Sequence, residues 1–369
     1  MIVDKFKSSL MVFYLMSLMT GMVSVGCSVS SGQPATPSST FSQVMLPEIV
    51  QIEDATSTPA PIAQSTSIVS PTTPPSIFNP FESLVEMYQF GPGITKIDEL
   101  PVGMYIVTIS EDGLLVYSLD GERIGQIASG DFYEPSLSPN NSVISFIAPG
   151  GLLGFLTTDD YELSIYEPFD MLRLFPSWSS DGGRIAVSSL HATDDNTEHL
   201  GIIELERMSY VELVDLSIGA SAPSWSPIDD WIAFISTHQR IDGSHDIFAI
   251  EIECADRGSD CVAGQLIKLT HDPTIDYEWP SWTPDGKKLI SSCHSRIGTH
   301  GICLIGFPGG DEELLGNKMI EGDRPLWSPS GDLIAFERGT DVFVINSEGG
   351  NERKIADSEG LAFWLEVKE

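Results

Sequence analysis

Short apolar runs separated by turn residues fill the chain from about residue 100 to its end. The runs are rich in β-branched and aromatic residues, as at residues 231–235 and 333–336. A phrase built on Pro, Ser, Trp and Asp-Gly precedes many of them, and it favours a tight hairpin because Pro presets φ and Gly tolerates a positive φ. The pattern predicts pairs of antiparallel strands. The phrase stands at residues 135–139, 176–182, 223–227, 280–286 and 325–331.

A third and a fourth apolar run follow such a pair, as at residues 246–250 and 265–270. Four strands therefore form one unit. The tryptophan of the phrase, or its equivalent leucine, marks the repeat at Leu137, Trp178, Trp225, Trp282 and Trp327. Subtraction of these positions gives spacings of 41, 47, 57 and 45 residues. Periods of about 40–50 residues with four strands are typical of β-propeller blades.

The two ends of this region complete a sixth unit. Residues 104–110, 114–120 and 124–128 are predicted as strands two, three and four, and residues 361–365 as a first strand alone. Together they predict an all-β, six-bladed propeller of four-stranded antiparallel blades over residues 101–369, closed by the N- and C-terminal strands. Closure removes two free sheet edges. We therefore expect deletion of residues 361–369 to cause misfolding.

The repeated phrase resembles the WD40-like repeat of TolB-type propellers, in which Pro-x-Trp-Ser-Pro-Asp-Gly precedes a strand ending in Ala-Phe. The match is best in blades three to six, whereas Leu137 and Asn140-Asn141 depart from it in blade two. The resemblance implies a binding platform. TolB itself is a periplasmic partner of an envelope lipoprotein, but this chain has a linker where TolB has an N-terminal domain, so that partner is not carried over.

Residues 1–27 are predicted to be an export signal, with Lys5 and Lys7 ahead of an apolar stretch. The small residues before Cys27 resemble a bacterial lipobox, which implies cleavage before Cys27 and lipid attachment there. Ser24 stands where a lipobox usually has leucine. The alternatives are a retained transmembrane anchor, which also tethers the protein, and an ordinary secretory signal.

Residues 28–80 are dominated by Ser, Thr and Pro and contain no Lys, Arg or His. A segment with so few large apolar side chains does not offset the entropy of ordering, so we predict a disordered linker with polyproline character. It would span roughly 40 Å as a coil and at most about 160 Å when extended. Residues 81–100 connect it to the propeller.

The chain has 53 acidic and 19 basic residues, a formal net charge of -34. Nucleic-acid binding depends on Lys and Arg that neutralise phosphates, so a nucleic-acid partner is excluded. The acidity fits a repulsive, solvated surface, and a cationic partner or a divalent metal is the alternative. We expect a monomer.

Four cysteines remain besides Cys27. Cys254 and Cys261 flank the predicted loop between strands three and four of blade four, and Cys293 and Cys303 close the loop between strands two and three of blade five. Each pair falls where antiparallel neighbours come within disulfide distance, and an exported protein meets oxidising conditions. We predict two disulfides, with a zinc site as the alternative.

The loops after strands two and four of each blade emerge on one face, and the strand prediction places every histidine there, on one half of that face. These are His191, His199, His238, His245, His271, His294 and His300. The same loops hold Asp272 and Asp276, which we add to the candidate binding face, and further acids at Asp194, Asp195, Glu198, Asp242 and Glu278. Imidazoles with carboxylates suit a divalent metal or a pH-sensitive site. Alternatively, long surface loops simply collect polar residues.

Some TolB-like propellers, the oligogalacturonate lyases, carry a His-liganded metal on this face, but their ligand pattern has no residue-by-residue match here. The repeated tryptophans are expected to pack between blades rather than to bind sugar. No nucleophile elbow, phosphate loop or dinucleotide fingerprint occurs, so no catalytic residue is assigned.

Three functional hypotheses follow. The first is a membrane-tethered, extracytoplasmic platform at the cell envelope that binds a protein or a cell-wall polymer. The second is a metal-dependent, lyase-like enzyme acting on polysaccharide through the histidine-bearing face. A purely structural role in the envelope is the third. Fold alone does not decide among them.

Overall fold

The computed structural model describes residues 88, 94–166, 171–191, 198–213, 219–228, 230–238, 240, 242–254, 261–296, 298, 300–317, 319–357 and 359–368. They belong to the second of the two units into which the chain divides, Met1–Phe78 and Asn79–Glu369. The predicted export signal with Cys27 and the predicted linker lie outside the described residues. Among the residues described, no helix is long and apolar enough to span a membrane.

The strands of the described residues form six four-stranded antiparallel sheets. Blade one contains β1 (Gly103–Ser110), β2 (Gly113–Ser118), β3 (Arg123–Ala128) and, as its first strand, β24 (Gly360–Val367). Blade two contains β4 (Tyr133–Leu137), β5 (Val143–Ala148), β6 (Leu152–Thr157) and β7 (Leu163–Tyr166). Blade three contains β8 (Met171–Trp178), β9 (Arg184–His191), β10 (Glu198–Glu204) and β11 (Ser209–Glu212).

The other three blades repeat this order of strands. Blade four contains β12 (Ser221–Trp225), β13 (Trp231–Ser236), β14 (Asp246–Cys254) and β15 (Cys261–Lys268). Blade five contains β16 (Ile275–Trp282), β17 (Lys288–Ser295), β18 (His300–Gly306) and β19 (Glu312–Leu314). Blade six contains β20 (Asp323–Trp327), β21 (Leu333–Arg338), β22 (Asp341–Asn346) and β23 (Arg353–Ala356). Short 3₁₀ helices occupy Ile97–Glu99 and Leu315–Asn317.

The first strands of the six blades contact one another in a closed cycle around the axis. Blade one is completed by both ends of the propeller, because β24 pairs with β1 and places Trp364 opposite Ile106. The predicted six-bladed ring and its closure are confirmed.

The repeated tryptophans pack between blades, as predicted. Trp282 is buried, and its Nε1 donates a hydrogen bond of 2.9 Å to the carbonyl of Ser224 in the preceding blade. Trp364 makes the equivalent bond of 3.0 Å to Leu326. Burial of a large aromatic surface with its polar edge satisfied stabilises these two seams.

Both predicted disulfides are present. Cys254 ends β14, Cys261 begins β15, and the two are bonded. Cys293 and Cys303 are also bonded, but they lie inside β17 and β18 rather than at the ends of a loop. These strands extend beyond their apolar runs, because backbone pairing continues through polar residues once two strands are aligned.

Five first strands bulge at one position, three residues before the repeated tryptophan or leucine. The register with the second strand shifts there in blades two to six. The bulged residues have φ values between 46° and 55° and are Glu134, Phe175, Ala222, Trp279 and Arg324. Each precedes a proline, which has no N–H to leave unpaired. A bulge re-aims the side chain that it carries.

Candidate functional site

The loops after the second and fourth strands form one end of the propeller, which we call the mouth. Every histidine lies at this end of a strand or in one of these loops, where the sequence placed it. His191 ends β9, and its side chain lies outside the described part of the structure. The structure brings only some of the others together.

His245, Asp276 and Glu278 form a compact cluster at the seam between blades four and five. Each offers one ligand atom, and these atoms all lie within 4.8 Å of one another. The backbone N–H of His245 donates to Oδ1 of Asp276 at 2.6 Å, and its Nδ1 lies 3.1 Å from the same oxygen. Asp276 and Glu278 share a side of β16 because they are two residues apart.

The cluster continues toward blade six. Nε2 of His294 lies 2.9 Å from Oδ1 of Asp323, and Nδ1 of His294 lies 2.7 Å from Nδ1 of the exposed His300. On the other side, Glu198 of blade three is hydrogen-bonded to Ser221 and interacts with the charge of His245. We call these residues the mouth cluster: Glu198, His245, Asp276, Glu278, His294, His300 and Asp323.

The protonation behaviour of the mouth cluster reflects burial and close charges. Burial acts to lower the pKa of His245, but the hydrogen bond and charge of Asp276 outweigh it and raise that pKa. His294 behaves alike because of Asp323. Burial raises the pKa of Glu278 and of Glu198. Burial acts to raise the pKa of Asp276 and of Asp323, but the hydrogen bonds and charges of His245 and His294 outweigh it and lower both pKa values. Each His–Asp pair therefore favours its charged form, whereas Glu198 and Glu278 favour the neutral form.

An imidazole and two carboxylates at such separations are a ligand set that zinc, manganese or another divalent metal accepts. His245, Asp276 and Glu278 are therefore the residues that fit a metal in the mouth. A metal there would act as a Lewis acid on a bound oxygen.

A buried ion cluster fixes the start of β16, the strand that carries Asp276. Asp246 is only 1% exposed and pairs with Arg240 and Lys268 at 2.8 Å each. Arg240 also donates to the carbonyls of Asp272 and Ile275, at 3.0 and 2.6 Å. These bonds hold the chain just before Asp276 against blade four, which sets the position of its carboxylate.

Other predicted residues make local contacts instead of joining the cluster. His199 pairs with Glu212 at 3.0 Å, and His238 packs against the ring of Phe248, with centroids 6.0 Å apart. His271 contacts its neighbouring carbonyl, that of Thr270, at 2.7 Å. Asp272 accepts hydrogen bonds from the N–H and hydroxyl of Thr274. These side chains reach strand and loop neighbours at the mouth.

The bulged residues of blades two to six converge on the axis, and we call them the axis ring: Glu134, Phe175, Ala222, Trp279 and Arg324. Phe175 and Trp279 meet edge to face with centroids 5.3 Å apart, although their blades are not neighbours. The Arg324 guanidinium lies 4.2 Å from the centre of the Trp279 ring and pairs with Glu134 across blade one. These residues contact one another across the axis, and they line a cavity of ≈ 170 Å³ there.

The axis ring and Asp323 were missing from the sequence-based candidates. A usable signal exists, because every ring residue stands three positions before the repeated tryptophan or leucine and immediately before a proline. Glu278 and Asp323 occupy the next position upstream in blades five and six. Counting back from the repeat marks these positions, whereas their convergence at the axis is visible only in the structure.

Comparison with solved structures finds proteins with a similar fold. A putative TolB from Agrobacterium tumefaciens is 19% identical, with 71% of this chain and 92% of that chain covered and a TM-score of 0.52. TolB from Acinetobacter baumannii is 13% identical over 70% of this chain and 64% of that one, with a TM-score of 0.53. A chain of the nidogen/laminin complex is 10% identical, with 71% and 97% covered and a TM-score of 0.54.

No family model matches the chain, and no curated protein matches its sequence. The fold is a TolB-like six-bladed β-propeller, as the resemblance predicted. At these identities the likeness concerns the fold alone, so the function must be argued from the site.

Proposed function

We propose that the protein is an extracytoplasmic binding platform, tethered to a membrane at the cell envelope by its N-terminal segment, whose mouth holds a protein or a cell-wall polymer. The observation that carries this proposal is the convergence of the mouth cluster and the axis ring at one end of the propeller. Polar groups held on strands in a concave opening, with aromatic side chains among them, are the usual composition of a binding site.

The location outside the cytoplasm is supported by the disulfides. Cys254–Cys261 and Cys293–Cys303 are both formed, and such bonds persist in oxidising compartments and are rare in the cytosol. The signal-like residues 1–27 and the Ser/Thr/Pro-rich residues 28–80 support export and a tether.

The charge of the mouth restricts the partner. Glu198, Asp276, Glu278 and Asp323 stand close together, and the whole chain carries a net charge of -34. A polyanion would be repelled, so neutral and cationic partners are favoured.

Capture from native envelope by the full-length chain tests the platform. We expect Glu278→Gln with Asp323→Asn to reduce recovery of a specific partner about tenfold, a loss typical of removing a central contact. The matched control, Asp285→Asn with Asp332→Asn, removes two acids from turns at the opposite end and should capture as the wild type does. Equal capture by both double variants, or capture of nothing by the wild type, would refute the platform.

The second candidate is a metal-dependent enzyme acting on polysaccharide, and the ligand set of His245, Asp276 and Glu278 favours it. Metal would also reduce the repulsion of an anionic polymer by the mouth. Full-length protein should then retain about one equivalent of manganese or zinc after dialysis, and His245→Ala should retain far less. His238→Ala, outside the cluster, is the control. Substoichiometric metal in the wild type, with no polysaccharide cleavage after loading, eliminates this candidate.

A further inference from the structure

The cavity at the axis differs in chemistry from the mouth cluster above it. Phe175, Trp279, Arg324 and Glu134 line it beside the small side chain of Ala222. Deeper walls are made by the prolines that follow the bulges and by four serines: Ser136, Ser177, Ser224 and Ser281. The cavity thus combines aromatic surface, a planar ion pair and hydroxyl-bearing residues.

This combination matches the surface of a sugar. A pyranose ring has apolar C–H faces that pack on aromatic side chains and an equator of hydroxyl groups that both donate and accept hydrogen bonds. A guanidinium supplies N–H donors in a fixed plane, and a carboxylate supplies acceptors. Trp279 and Phe175 are half-buried, so each still presents ring surface at the axis.

We propose that the axis ring is a subsite for one neutral sugar unit, the end or a side branch of a polymer held at the mouth. The inference rests on the proposed binding function and names the class of its ligand. Trp279 and Phe175 would contact a face of the sugar ring, and Arg324 and Glu134 would bind its hydroxyl groups.

Arg324 argues against a cationic side chain as the occupant. Its guanidinium already lies on the ring of Trp279 and against the carboxylate of Glu134, the two places where a lysine or arginine from a partner would bind. An incoming cation would have to displace Arg324 or lie beside a like charge. A neutral ligand is not repelled by Arg324, and it would contact the ring surface of Trp279 and Phe175 that Arg324 leaves exposed.

The surrounding carboxylates argue against an anionic sugar. Glu337 lies 3.9 Å from Arg324, and Asp323 adjoins it in the chain, so the single guanidinium is surrounded by opposite charge. A uronic acid would enter against Asp276, Glu278 and Asp323 at the mouth. Coulomb repulsion in a partly buried site is screened less than at an exposed surface.

The cavity has room for a sugar ring. Its volume of ≈ 170 Å³ is well above the roughly 10–15 Å³ that one water molecule needs on the same measure. One unit would therefore enter at the axis. Further units of a polymer would lie above the ring, against the mouth cluster.

The test is titration calorimetry of the full-length chain in detergent with glucose, galactose and N-acetylglucosamine, beside glucosamine and glucuronic acid as charged probes. We expect at least one neutral sugar to bind with a dissociation constant on the order of 1 mM, typical of a small ligand. Glucosamine and glucuronic acid should bind at least about tenfold more weakly.

Two variants locate the binding. Trp279→Ala should weaken it about tenfold or more. Ala222→Phe should abolish it by filling the cavity, and it should fold because Phe175 holds the same repeat position at φ 54°, against 48° for Ala222. Asp332→Asn, at the opposite end, should bind as the wild type does, and thermal melting verifies that each variant is folded.

The proposal is overturned if no neutral sugar binds at a concentration on the order of 20 mM, 20-fold the expected dissociation constant. It is also overturned if a basic peptide binds at Trp279 and no sugar does, or if Ala222→Phe binds sugar as the wild type does. If the Glu278→Gln, Asp323→Asn variant captures less partner than the wild type while the wild type binds no sugar, the platform is retained and the sugar subsite is rejected. Failure of capture together with intact sugar binding would reject the platform as stated.

Discussion

Trp364→Ala tests the closure of the ring most directly. Trp364 lies in β24, which joins the C-terminal end of the chain to β1 by backbone pairing. It is buried at 7% exposure and packs in a cluster with Ile106, Leu115 and Leu361. Among the described residues no disulfide links β24 to β1, so backbone hydrogen bonds and side-chain packing hold this pairing.

The expected loss follows from these contacts. Truncation of a buried tryptophan to alanine costs about 3–5 kcal/mol because apolar contact is lost and a cavity remains. The carbonyl of Leu326 also loses the indole N–H that it accepts at 3.0 Å, an effect of about 1 kcal/mol or more. We therefore expect the free energy of unfolding to fall by at least about 4 kcal/mol, a large part of the 5–15 kcal/mol typical of a domain.

Urea denaturation of the full-length chain, followed by circular dichroism, measures this loss. Lys368→Ala is the control beyond the end of the same strand, because its side chain is 75% exposed and pairs only at the surface with Glu366; it should change stability by less than about 0.5 kcal/mol. Hydrogen exchange should also quicken at the amides of β24 before those of β2, since a terminal strand can detach while other blades stay folded.

A loss below about 1 kcal/mol for Trp364→Ala would refute the reasoning, because a closing seam cannot be that insensitive to its largest buried side chain. A soluble, cooperatively melting chain without residues 361–369 would refute it independently.

Three further predictions concern groups that the fold buries. Asp246→Ala should lower the free energy of unfolding by about 3–5 kcal/mol in urea, because it leaves two cations without their buried partner; a loss under 1 kcal/mol would contradict that. Stability should fall as pH rises from about 6 to 8, since the raised pKa values of His245 and His294 contribute stability only while the rings are protonated. Replacing both histidines with Gln should reduce the dependence of stability on pH in melts recorded between pH 6 and 8. An unchanged pH dependence would contradict this prediction. Replacing Cys293 and Cys303 with Ala should lower the free energy of unfolding by about 2–3 kcal/mol under oxidising conditions, and the difference from the wild type should shrink under reducing conditions. Equal stability of the double variant and the wild type under oxidising conditions would contradict it.

The blades were predictable because their signals are local. Proline and Asp-Gly specify the turns directly, and Gly182 and Gly286 have the positive φ values, 69° and 66°, that such turns require. Period and strand count followed from the same phrase. The disulfides were predictable because strand order makes their cysteines neighbours, although Cys293 and Cys303 lie deeper in their strands than the loop reading implied.

The candidate site was predicted only in part. His245, Asp276 and His294 do meet, because each stands at a blade seam at the mouth. His199 and His238 share that end of the propeller but contact Glu212 and Phe248, since neighbouring strands and not the loop decide which group a side chain reaches. Position in the sequence thus predicted the correct end of the propeller, but it included more residues than those that form the mouth cluster.

The chain by itself determined the number of blades, their order and the closing of the ring, because turn chemistry and periodicity act over a few residues and repeat. Only the tertiary structure decided which side chains share the axis. A bulge turns a residue toward the centre once two strands are in register, and contact between Phe175 and Trp279, or between Arg324 and Glu134, exists only when blades distant in sequence surround one axis.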